Sequence, residues 1–406
     1  MRDIEAYNVD RPASSEASQV SAIWIPSWFP NSNNPMDGMF IREQAECVAT
    51  QVNLAIVVVR IRGLKAVLDG WPIFRRTTDR APAGAVGIES WELANPFPGL
   101  PKLYARLHSW FARSSYRRFA AGLPRPLVVH SHVIFPGALI GDALSRWLGV
   151  PHLVSLHYSG IRSYLASPLA DQLREAVQRA DRVIVPSGKM GELAEPFTGA
   201  RSLVKIPNPV DLAVFRPCAE SRPGRLLAVA RLHPPKNLPL LLEGFARARR
   251  RSPVPLHLDI VGEGPERTRL EVMIARLGLG ESVELSGACD HNLLPGKISR
   301  SDFLVLSSPV ETFGIVVIES MACGRPIVAT RCGGPEEIIT PEVGILVAEQ
   351  NPDSLAEGIL SMVHNRRRYH EERIRRAARA YSLERYGRRL VELYRETVQE
   401  HGGQRP

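Results

Sequence analysis

Residues 301–337, which read SDFLVLSSPVETFGIVVIESMACGRPIVATRCGGPEE, contain the pattern that decides the fold. The apolar run Phe303–Leu306 is bounded by turn-forming residues and predicts a buried parallel strand. A second run, Ile315–Cys323, has helical character and ends at Gly324, with Pro326 close behind. The stretch therefore predicts a strand, a tight loop and a helix whose N-terminus lies at the carboxyl edge of an α/β sheet, where open sheets of this class bind ligands.

Two carboxylates frame the predicted helix: Glu311 precedes it, and Glu319 follows eight positions later. At about 1.5 Å of rise per residue they lie about 12 Å apart along the axis and within about a quarter turn of each other. The N–H groups of Phe313, Gly314 and Ile315 and the positive helix end can hold an anion between them. A nucleotide-sugar, with hydroxyls at both ends and phosphates in the middle, fits this arrangement. A capping role for Glu311 and a packed or solvated Glu319 form the alternative.

Composition limits the kind of protein. A length of 406 residues predicts two or three domains, and no apolar run approaches the 18 residues of a membrane span. Residues 1–18 lack the apolar core of a secretory signal and are interpreted as a disordered leader. The five cysteines are scattered without a C-x-x-C pair, which favours reduced thiols in a cytoplasm over disulfides or a zinc site.

The net charge of +9 attracts nucleic acid, anionic membranes or phosphorylated small molecules. Nucleic acid is the weakest of these candidates because the sequence contains no recognised binding module. Residues 100–123 are amphipathic at helical spacing, with Leu103, Leu107, Trp110 and Phe111 on one side and basic residues on the rest. This pattern fits either a helix at a membrane surface or a surface helix packed on its own sheet.

The first half of the chain contains strand ends with polar residues. A short strand over residues 21–25, a loop ending at Gly38 and a helical run from Met39 are the parts of a phosphate site, although an ordinary connecting loop fits as well. The next strands end at His130, His132 and His157. Zinc would need a stricter ligand set, so structural roles are favoured for the first two histidines.

A new α/β cycle begins at Arg225. Its strand delivers Arg231 at the carboxyl end, and Lys236 follows five residues later. Two cationic side chains at the carboxyl edge of a sheet, facing an anion-binding helix, are best explained as ligands of phosphate groups. The segment that ends at Ala288 is poor in side chains that could recognise a particular base.

Taken together, these motifs closely resemble glycosyltransferase family 4, whose members are retaining, nucleotide-sugar-dependent enzymes of the GT-B fold. The resemblance is most specific in the E-x7-E spacing, S-S-P-x-E-T-F-G, G-R-P-I-V-A-T and Gly333–Glu337. It extends more thinly to N-P-x-x-G-x-F around Gly38, P-x-x-V-S-L-H ending at His157, and N-x-V-D-x-x-x-F from Asn208. The G-R-L-x-x-x-K pattern is present with Ala230 in place of the usual glycine.

The resemblance implies two Rossmann-like domains with parallel sheets that face a cleft. The expected units are an acceptor-side domain at 19–210, a nucleotide-sugar-binding domain at 211–382 and a final helix at 383–406 that crosses back to the first domain. It also implies a role for each matching residue, of which His157, Glu311, Arg231 and Lys236 are expected to be catalytic. His157 and Glu311 would contact the sugar, Glu319 the ribose, Arg231, Lys236 and Gly38 the diphosphate, Ala288 the base, and Phe313, Gly314 and Ile315 the phosphate through backbone N–H groups.

The expected reaction moves a sugar from a UDP- or GDP-linked donor to an acceptor hydroxyl on a glycan, a lipid-linked sugar or a small molecule. No D-x-D motif occurs in the chain, so we expect neither a metal nor a further cofactor. The expected location is the cytoplasm, with peripheral contact at the inner membrane face left open. A nucleotide-sugar epimerase of the same fold, a glycan phosphorylase and a non-catalytic sugar-nucleotide-binding protein remain as alternatives.

Overall fold

The computed structural model describes residues 20–31, 37–62, 74–79, 87–94, 101–199, 203–348 and 351–403. The predicted leader, residues 1–18, lies outside this part of the chain. Within the described residues the strands form two sheets, and helices pack against both. None of the helices in the described ranges combines the length and the apolar character needed to cross a bilayer.

The first sheet contains the strands β1 Ser21–Pro26, β2 Asn53–Arg62, β3 Phe74–Asp79, β4 Gly87–Ala94, β5 Leu127–His132, β6 His152–Ser155, β7 Arg182–Val185 and β8 Val204–Lys205. Their order across the sheet is β3-β4-β2-β1-β5-β6-β7-β8. The sheet is parallel except at one edge, where β3 pairs antiparallel with β4. The connection between these two strands is too short for the crossover of about a dozen residues that a parallel pair needs.

The second sheet contains β9 Arg225–Val229, β10 His257–Val261, β11 Val283–Gly287, β12 Phe303–Leu306, β13 Ile327–Thr330 and β14 Gly344–Val347. Its order is β11-β10-β9-β12-β13-β14, and every pair is parallel. The predicted strand Phe303–Leu306 is confirmed. Since the chain proceeds outward from β9 in one direction and then from β12 in the other, the strand order reverses between these two strands.

The α-helices in the described ranges are α1 Met39–Ala49, α2 Pro101–Ser115, α3 Leu139–Leu148, α4 Ala170–Arg179, α5 Gly188–Thr198, α6 Leu238–Arg251, α7 Arg267–Arg276, α8 Leu294–Arg300, α9 Ile315–Ala322, α10 Pro352–Asn365, α11 Glu371–Ala378 and α12 Leu383–Gly403. Shorter π-helical turns follow α2 and β5, at Tyr116–Ala120 and Ile134–Ala138. The predicted helix after Gly314 is confirmed as α9.

Both faces of each sheet are covered by apolar side chains. In β9, Leu226 and Leu227 belong to two different hydrophobic clusters, one on each face of the second sheet. In β1, Trp24 and Ile25 divide in the same way between the two faces of the first sheet. Burial on both faces explains why these strands read as nearly continuous apolar runs, as parallel sheets require.

The last helix, α12, packs on α1 of the first sheet. The side chain of Tyr394 is fully buried there. Its hydroxyl oxygen lies 2.8 Å from the Trp24 Nε1, which donates to it, and 2.6 Å from the His130 Nδ1. The C-terminal helix is therefore part of the core that surrounds the first sheet. The domain boundaries drawn at residues 210 and 382 stay a prediction.

Candidate active site

The sequence-predicted residues meet at the carboxyl ends of β9 and β12. Arg231 and Lys236 follow β9, while Glu311 follows β12, and these two strands are neighbours where the strand order reverses. Such switch points form the crevices in which open α/β sheets bind ligands.

The backbone of Glu311 is fixed by the segment that follows β13. The Glu311 N–H donates to the carbonyl of Cys332 at 2.8 Å, and the Glu311 carbonyl accepts from the N–H of Gly334 at 2.9 Å. These bonds make a single parallel bridge between Glu311 and Gly333. The G-G-P-E-E motif therefore supports the loop that carries the predicted sugar-binding carboxylate.

The Glu311 side chain is paired with the predicted phosphate-binding lysine. Its Oε1 accepts from Lys236 Nζ at 2.5 Å and from Ser308 Oγ at 2.7 Å. The Lys236 carbonyl in turn accepts from Ser307 Oγ at 3.0 Å, and Asn237 beside it adopts a left-handed conformation with φ 46°. Asparagine tolerates that conformation better than most residues. The result is a positioned cation and a positioned carboxylate side by side at the switch point.

Helix α9 begins directly after this loop. Gly314 precedes its first residue in a left-handed conformation with φ 89°, and a Cβ at this position would lie 3.0 Å from the Cγ of Pro335. Phe313 is buried and its ring lies 5.9 Å from that of Tyr381. The first turn of α9, with its unpaired N–H groups and positive dipole end, therefore lies where the sequence predicted an anion site.

Arg231 and Ala288 lie on the other side of the switch point. Arg231 is exposed on the loop after β9, and this loop is held by the N–H of Leu232 donating to the carbonyl of Glu263 at 2.9 Å. Ala288 is exposed directly after β11. The structure thus leaves Arg231 accessible to a ligand, whereas it holds Lys236 in an ion pair.

Glu319 is buried, with 6% of its surface exposed. Its Oε1 accepts from His291 Nε2 at 3.0 Å, and the other ring nitrogen, Nδ1, lies 3.0 Å from Glu43 Oε1 of helix α1. Burial lowers the pKa of His291, but the hydrogen bonds to Glu319 and Glu43 prevail and raise it to about 10. His291 is therefore a cation held between two carboxylates. Glu43 is on helix α1, which packs on the first sheet, and Glu319 is on helix α9, which packs on the second.

His157 lies across the cleft, after the end of β6. Its carbonyl accepts from Thr312 Oγ1 at 3.2 Å, and the Thr312 carbonyl accepts from Ser187 Oγ, so the loop of Glu311 is bonded to the first sheet at this point. Its ring stacks on His132 with the centroids 5.8 Å apart, and meets the ring of Phe40 at 5.2 Å. Burial lowers the pKa of His157 to about 4, with the side chain of Asn208 opposing it. The imidazole is neutral at pH 7.

His130 and His132 lie inside the first domain, as the sequence interpretation favoured. Both are fully buried. His130 contacts the Tyr394 hydroxyl and the Ser155 Oγ, the latter at 2.8 Å from Nε2, whereas the His132 ring packs on Trp24 with the centroids 4.2 Å apart. Burial lowers the pKa of both histidines well below the ordinary value. Among the described residues no group of three or more His, Cys, Asp or Glu side chains could hold a metal ion.

Gly38 closes the loop after β1 and caps helix α1 with φ 68°. A Cβ on Gly38 would lie 2.6 Å from the carbonyl carbon and oxygen of Trp28, so the loop depends on glycine. Next to it, burial raises the pKa of Asp37, while the charges of Arg60 and Arg231 oppose that rise. The charge of the predicted diphosphate-binding Arg231 therefore acts on Asp37, the residue before Gly38.

Helix α2 and the π-helical turn Tyr116–Ala120 that follows it present a basic stripe to solvent. Arg106, Trp110, Arg113 and Arg117 recur at helical spacing and are exposed, with Trp110 at 61%. The interpretation that placed Trp110 on the same side as Phe111 is wrong, because Phe111 is buried against Trp91. The guanidinium groups of Arg113 and Arg117 lie 5.6 and 5.1 Å from the ring centroid of Trp147 on α3.

Sequence reasoning missed three residues of this site: His291, Glu43 and Asp37. His291 and Glu43 come from different sheets and no spacing relates them. Asp37 could have been found, because it directly precedes the glycine of a motif already singled out.

The known proteins and family models that match this chain are glycosyltransferases. A model of Glycosyl transferases group 1 matches residues 217–381, and a model of Glycosyltransferase Family 4 matches residues 73–214. The chain is 31% identical over 350 residues to D-inositol 3-phosphate glycosyltransferase 2 of Catenulispora acidiphila, covering 76% of this chain and 81% of that protein.

A GDP-mannose-dependent alpha-(1-6)-phosphatidylinositol dimannoside mannosyltransferase of Mycobacterium tuberculosis is 32% identical over 198 residues, covering 46% of this chain and 50% of that one. Another similar glycosyltransferase is matched over 66% of its own length. Among solved structures, Anabaena HepE in complex with UDP and glucose superimposes with a TM-score of 0.69 at 18% identity, covering 93% of this chain and 100% of that one. This likeness confirms the predicted GT-B fold.

Proposed function

The chain belongs to glycosyltransferase family 4, and from this premise we propose that it transfers a hexose from a nucleotide-diphosphate sugar to an acceptor hydroxyl, with retention at the anomeric carbon and without a metal ion. The observation that carries the proposal is the ion pair of Lys236 and Glu311 at the switch point, beside the N-terminus of α9. It supplies a cation for a diphosphate from the loop after β9 and a carboxylate for sugar hydroxyls from the loop after β12.

Each candidate residue has a proposed task. Arg231, Lys236 and the backbone N–H groups of Phe313, Gly314 and Ile315 at the start of α9 bind the diphosphate. They take up the charge that develops on it as the sugar leaves. Glu311 and the neutral His157 bind sugar hydroxyls near the reacting carbon. The remaining contacts are Glu319 on the ribose, Ala288 on the base and Gly38 on the diphosphate from the opposite domain.

The proposed step takes place on one face of the sugar. The bond between the anomeric carbon and the diphosphate oxygen breaks, and the acceptor oxygen forms its bond to the same carbon on the same face. The acceptor proton passes to the departing diphosphate oxygen. Because Arg231, Lys236 and the α9 dipole neutralise the leaving group, the step does not depend on a divalent cation for that purpose. Trapping of a covalent glycosyl-enzyme would contradict this route.

The proposed donor carries uridine or guanosine diphosphate. The UDP bound by HepE and the GDP-mannose used by the mycobacterial relative support these two carriers. For the acceptor we propose a hydroxyl on a glycan, a lipid-linked sugar or a small molecule.

The basic stripe of α2 and of the turn after it supports the proposed location, which is the cytoplasm with peripheral binding to the inner membrane face. Arginine and an exposed tryptophan on one helix face suit an anionic lipid surface, where the indole lies at the headgroup level. We expect flotation with vesicles that contain phosphatidylglycerol, and none with phosphatidylcholine alone. Replacing Trp110, Arg113 and Arg117 by serine should abolish flotation, whereas serine at the exposed Arg249, Arg250 and Arg251 of α6 should not. Equal flotation of both variants would exclude α2 as the contact.

Transfer itself is tested by incubating the protein with UDP- and GDP-hexoses and a panel of hydroxyl acceptors in EDTA. We expect release of nucleoside diphosphate that depends on an acceptor, and a product whose anomeric configuration by NMR equals that of the donor. Activity restored only by Mg²⁺ would contradict metal independence. Conversion of the donor sugar to an epimer in the absence of an acceptor would show that the protein is an isomerase and not a transferase.

A further inference from the structure

The Glu43–His291–Glu319 bridge joins the two halves of the molecule. His291 lies on the 3-10 turn His291–Leu293 after β11, Glu319 is in α9, and Glu43 is in α1 of the first sheet. Both carboxylate contacts measure 3.0 Å. The Phe215 ring packs on the imidazole, with the centroids 5.0 Å apart. The bridge therefore connects the proposed ribose-binding carboxylate to the first domain.

The bridge fixes the orientation of the Glu319 side chain. A histidine whose two ring nitrogens each face a carboxylate is an imidazolium that donates from both, and such charge-assisted hydrogen bonds are short and directional. His291 occupies only Oε1 of Glu319. A carboxylate offers about four lone-pair sites on its two oxygens, so Glu319 can still accept hydrogen bonds from a diol.

We propose that His291 is a positioning residue that holds the Glu319 carboxylate for the ribose hydroxyls of the donor, and that Glu43 makes this positioning depend on closure of the cleft. The inference rests on the proposed function, in which Glu319 binds the ribose. Closure brings Glu43 to His291, and His291 in turn presents Glu319 to the nucleotide. A nucleotide seated on Glu319 therefore stabilises the closed arrangement through the same imidazole.

The test compares a nucleoside diphosphate with its 2′,3′-dideoxy form by calorimetry, using UDP or GDP, whichever the wild-type protein binds. The ratio of the two dissociation constants measures only the ribose hydroxyls. We expect a ratio of about tenfold or more for the wild type, since a hydrogen bond to a charged group contributes about that much. His291→Ala should reduce the ratio to about twofold or less, and His291→Gln, which retains one donor, should restore part of it.

His257→Ala is the matched control, because His257 is an exposed histidine of the same domain. It should keep the wild-type ratio. General damage to the fold would weaken both ligands equally and leave the ratio unchanged, so a His291→Ala ratio equal to that of the wild type overturns the inference. A wild-type ratio near one, or no binding by the wild type, refutes instead the proposed role of Glu319.

The coupling to closure is tested by small-angle X-ray scattering with and without the same nucleoside diphosphate. We expect the ligand to reduce the radius of gyration of the wild type and of Glu46→Ala, whose side chain lies on the same helix and pairs with Arg42. Glu43→Ala should lose most of that reduction. Equal compaction of Glu43→Ala and the wild type would overturn the role of Glu43.

Discussion

Glu311 and Lys236 touch each other and have different proposed tasks, so their substitutions should have different effects. Glu311→Gln preserves the acceptor oxygen for Lys236 and Ser308, and it removes the negative charge beside the sugar. We expect kcat to fall about 10²- to 10³-fold, the usual loss when one transition-state contact is removed. The dissociation constant for the nucleoside diphosphate should change little, because Glu311 faces the sugar.

Steady-state kinetics together with calorimetry measure these two quantities. Glu342→Gln, at an exposed glutamate of the same domain, is the control and should behave as the wild type. Loss of nucleotide affinity in Glu311→Gln with an unchanged kcat would place Glu311 on the diphosphate instead of the sugar.

Gly38 is a second residue whose substitution should have a definite effect on activity. Gly38→Ala places a methyl group 2.6 Å from the Trp28 backbone and forces a side chain into a left-handed conformation. The loop must move, which costs about 1–3 kcal/mol of local strain or displaces the loop from the cleft. We expect kcat/KM to fall at least tenfold.

Because the Gly38 loop lies in the first domain, binding of free nucleoside diphosphate to the second domain should be less affected than kcat/KM. Gly122→Ala is the control, since nothing lies within 4 Å of a Cβ there. Wild-type turnover by Gly38→Ala would show that the loop takes no part in the reaction.

At the scale of elements, strands β5 and β6 contain the buried neutral histidines His130, His132 and His152. Burial lowers the pKa of His152 to about 4, and the pKa values of His130 and His132 lie well below the ordinary value. An unfolded histidine titrates near 6.5, so between pH 6.5 and 4 the unfolded chain binds protons that the folded chain does not. The free energy of unfolding should therefore fall as the pH is lowered through this window.

For His152 alone the loss between pH 6.5 and pH 5 is about 2 kcal/mol. His152→Gln should lose that part of the pH dependence in urea unfolding, whereas His257→Gln at an exposed position should keep it. If both variants follow the wild-type curve, the histidine is already protonated in the folded state at pH 5.

Elements with a strong local pattern could be predicted from the sequence. The strand Phe303–Leu306 and helix α9 follow from an apolar run, a glycine stop and a nearby proline. The convergence of Arg231, Lys236 and Glu311 follows from the rule that parallel strands present their carboxyl ends at one edge. Strand β3 was missed because a polar edge strand has no apolar run. The side of the helix on which Trp110 lies could not be predicted from the sequence. Tertiary packing decides that Phe111 is buried against the sheet and that Trp110 is exposed.

The contacts between the two halves could not be predicted. The bond of Thr312 to His157 and the bridge of His291 to Glu43 depend on how two separately specified sheets dock. No local propensity contains that information.

At the scale of the whole molecule, α12 joins the end of the chain to the first sheet. Tyr394→Phe removes the hydroxyl that bonds Trp24 and His130, leaving two buried nitrogen atoms without that partner. We expect a loss of about 1–3 kcal/mol in the free energy of unfolding, measured in urea. Tyr369→Phe, at a half-buried tyrosine of the second domain, should be close to neutral. An unchanged stability for Tyr394→Phe would mean that α12 is held by its apolar contacts alone.

The central claim is that the switch point between β9 and β12 binds the diphosphate of a nucleotide-sugar. The most direct measurement is calorimetric titration with UDP and GDP in EDTA, on the wild type and on Arg231→Ala/Lys236→Ala, with Arg249→Ala/Arg250→Ala on α6 as control. We predict that one nucleotide binds the wild type and the control alike, and that the site variant binds it about 100-fold more weakly, as the loss of charge-assisted hydrogen bonds implies. Failure of both nucleotides to bind, or equal binding by the site variant, would contradict the claim.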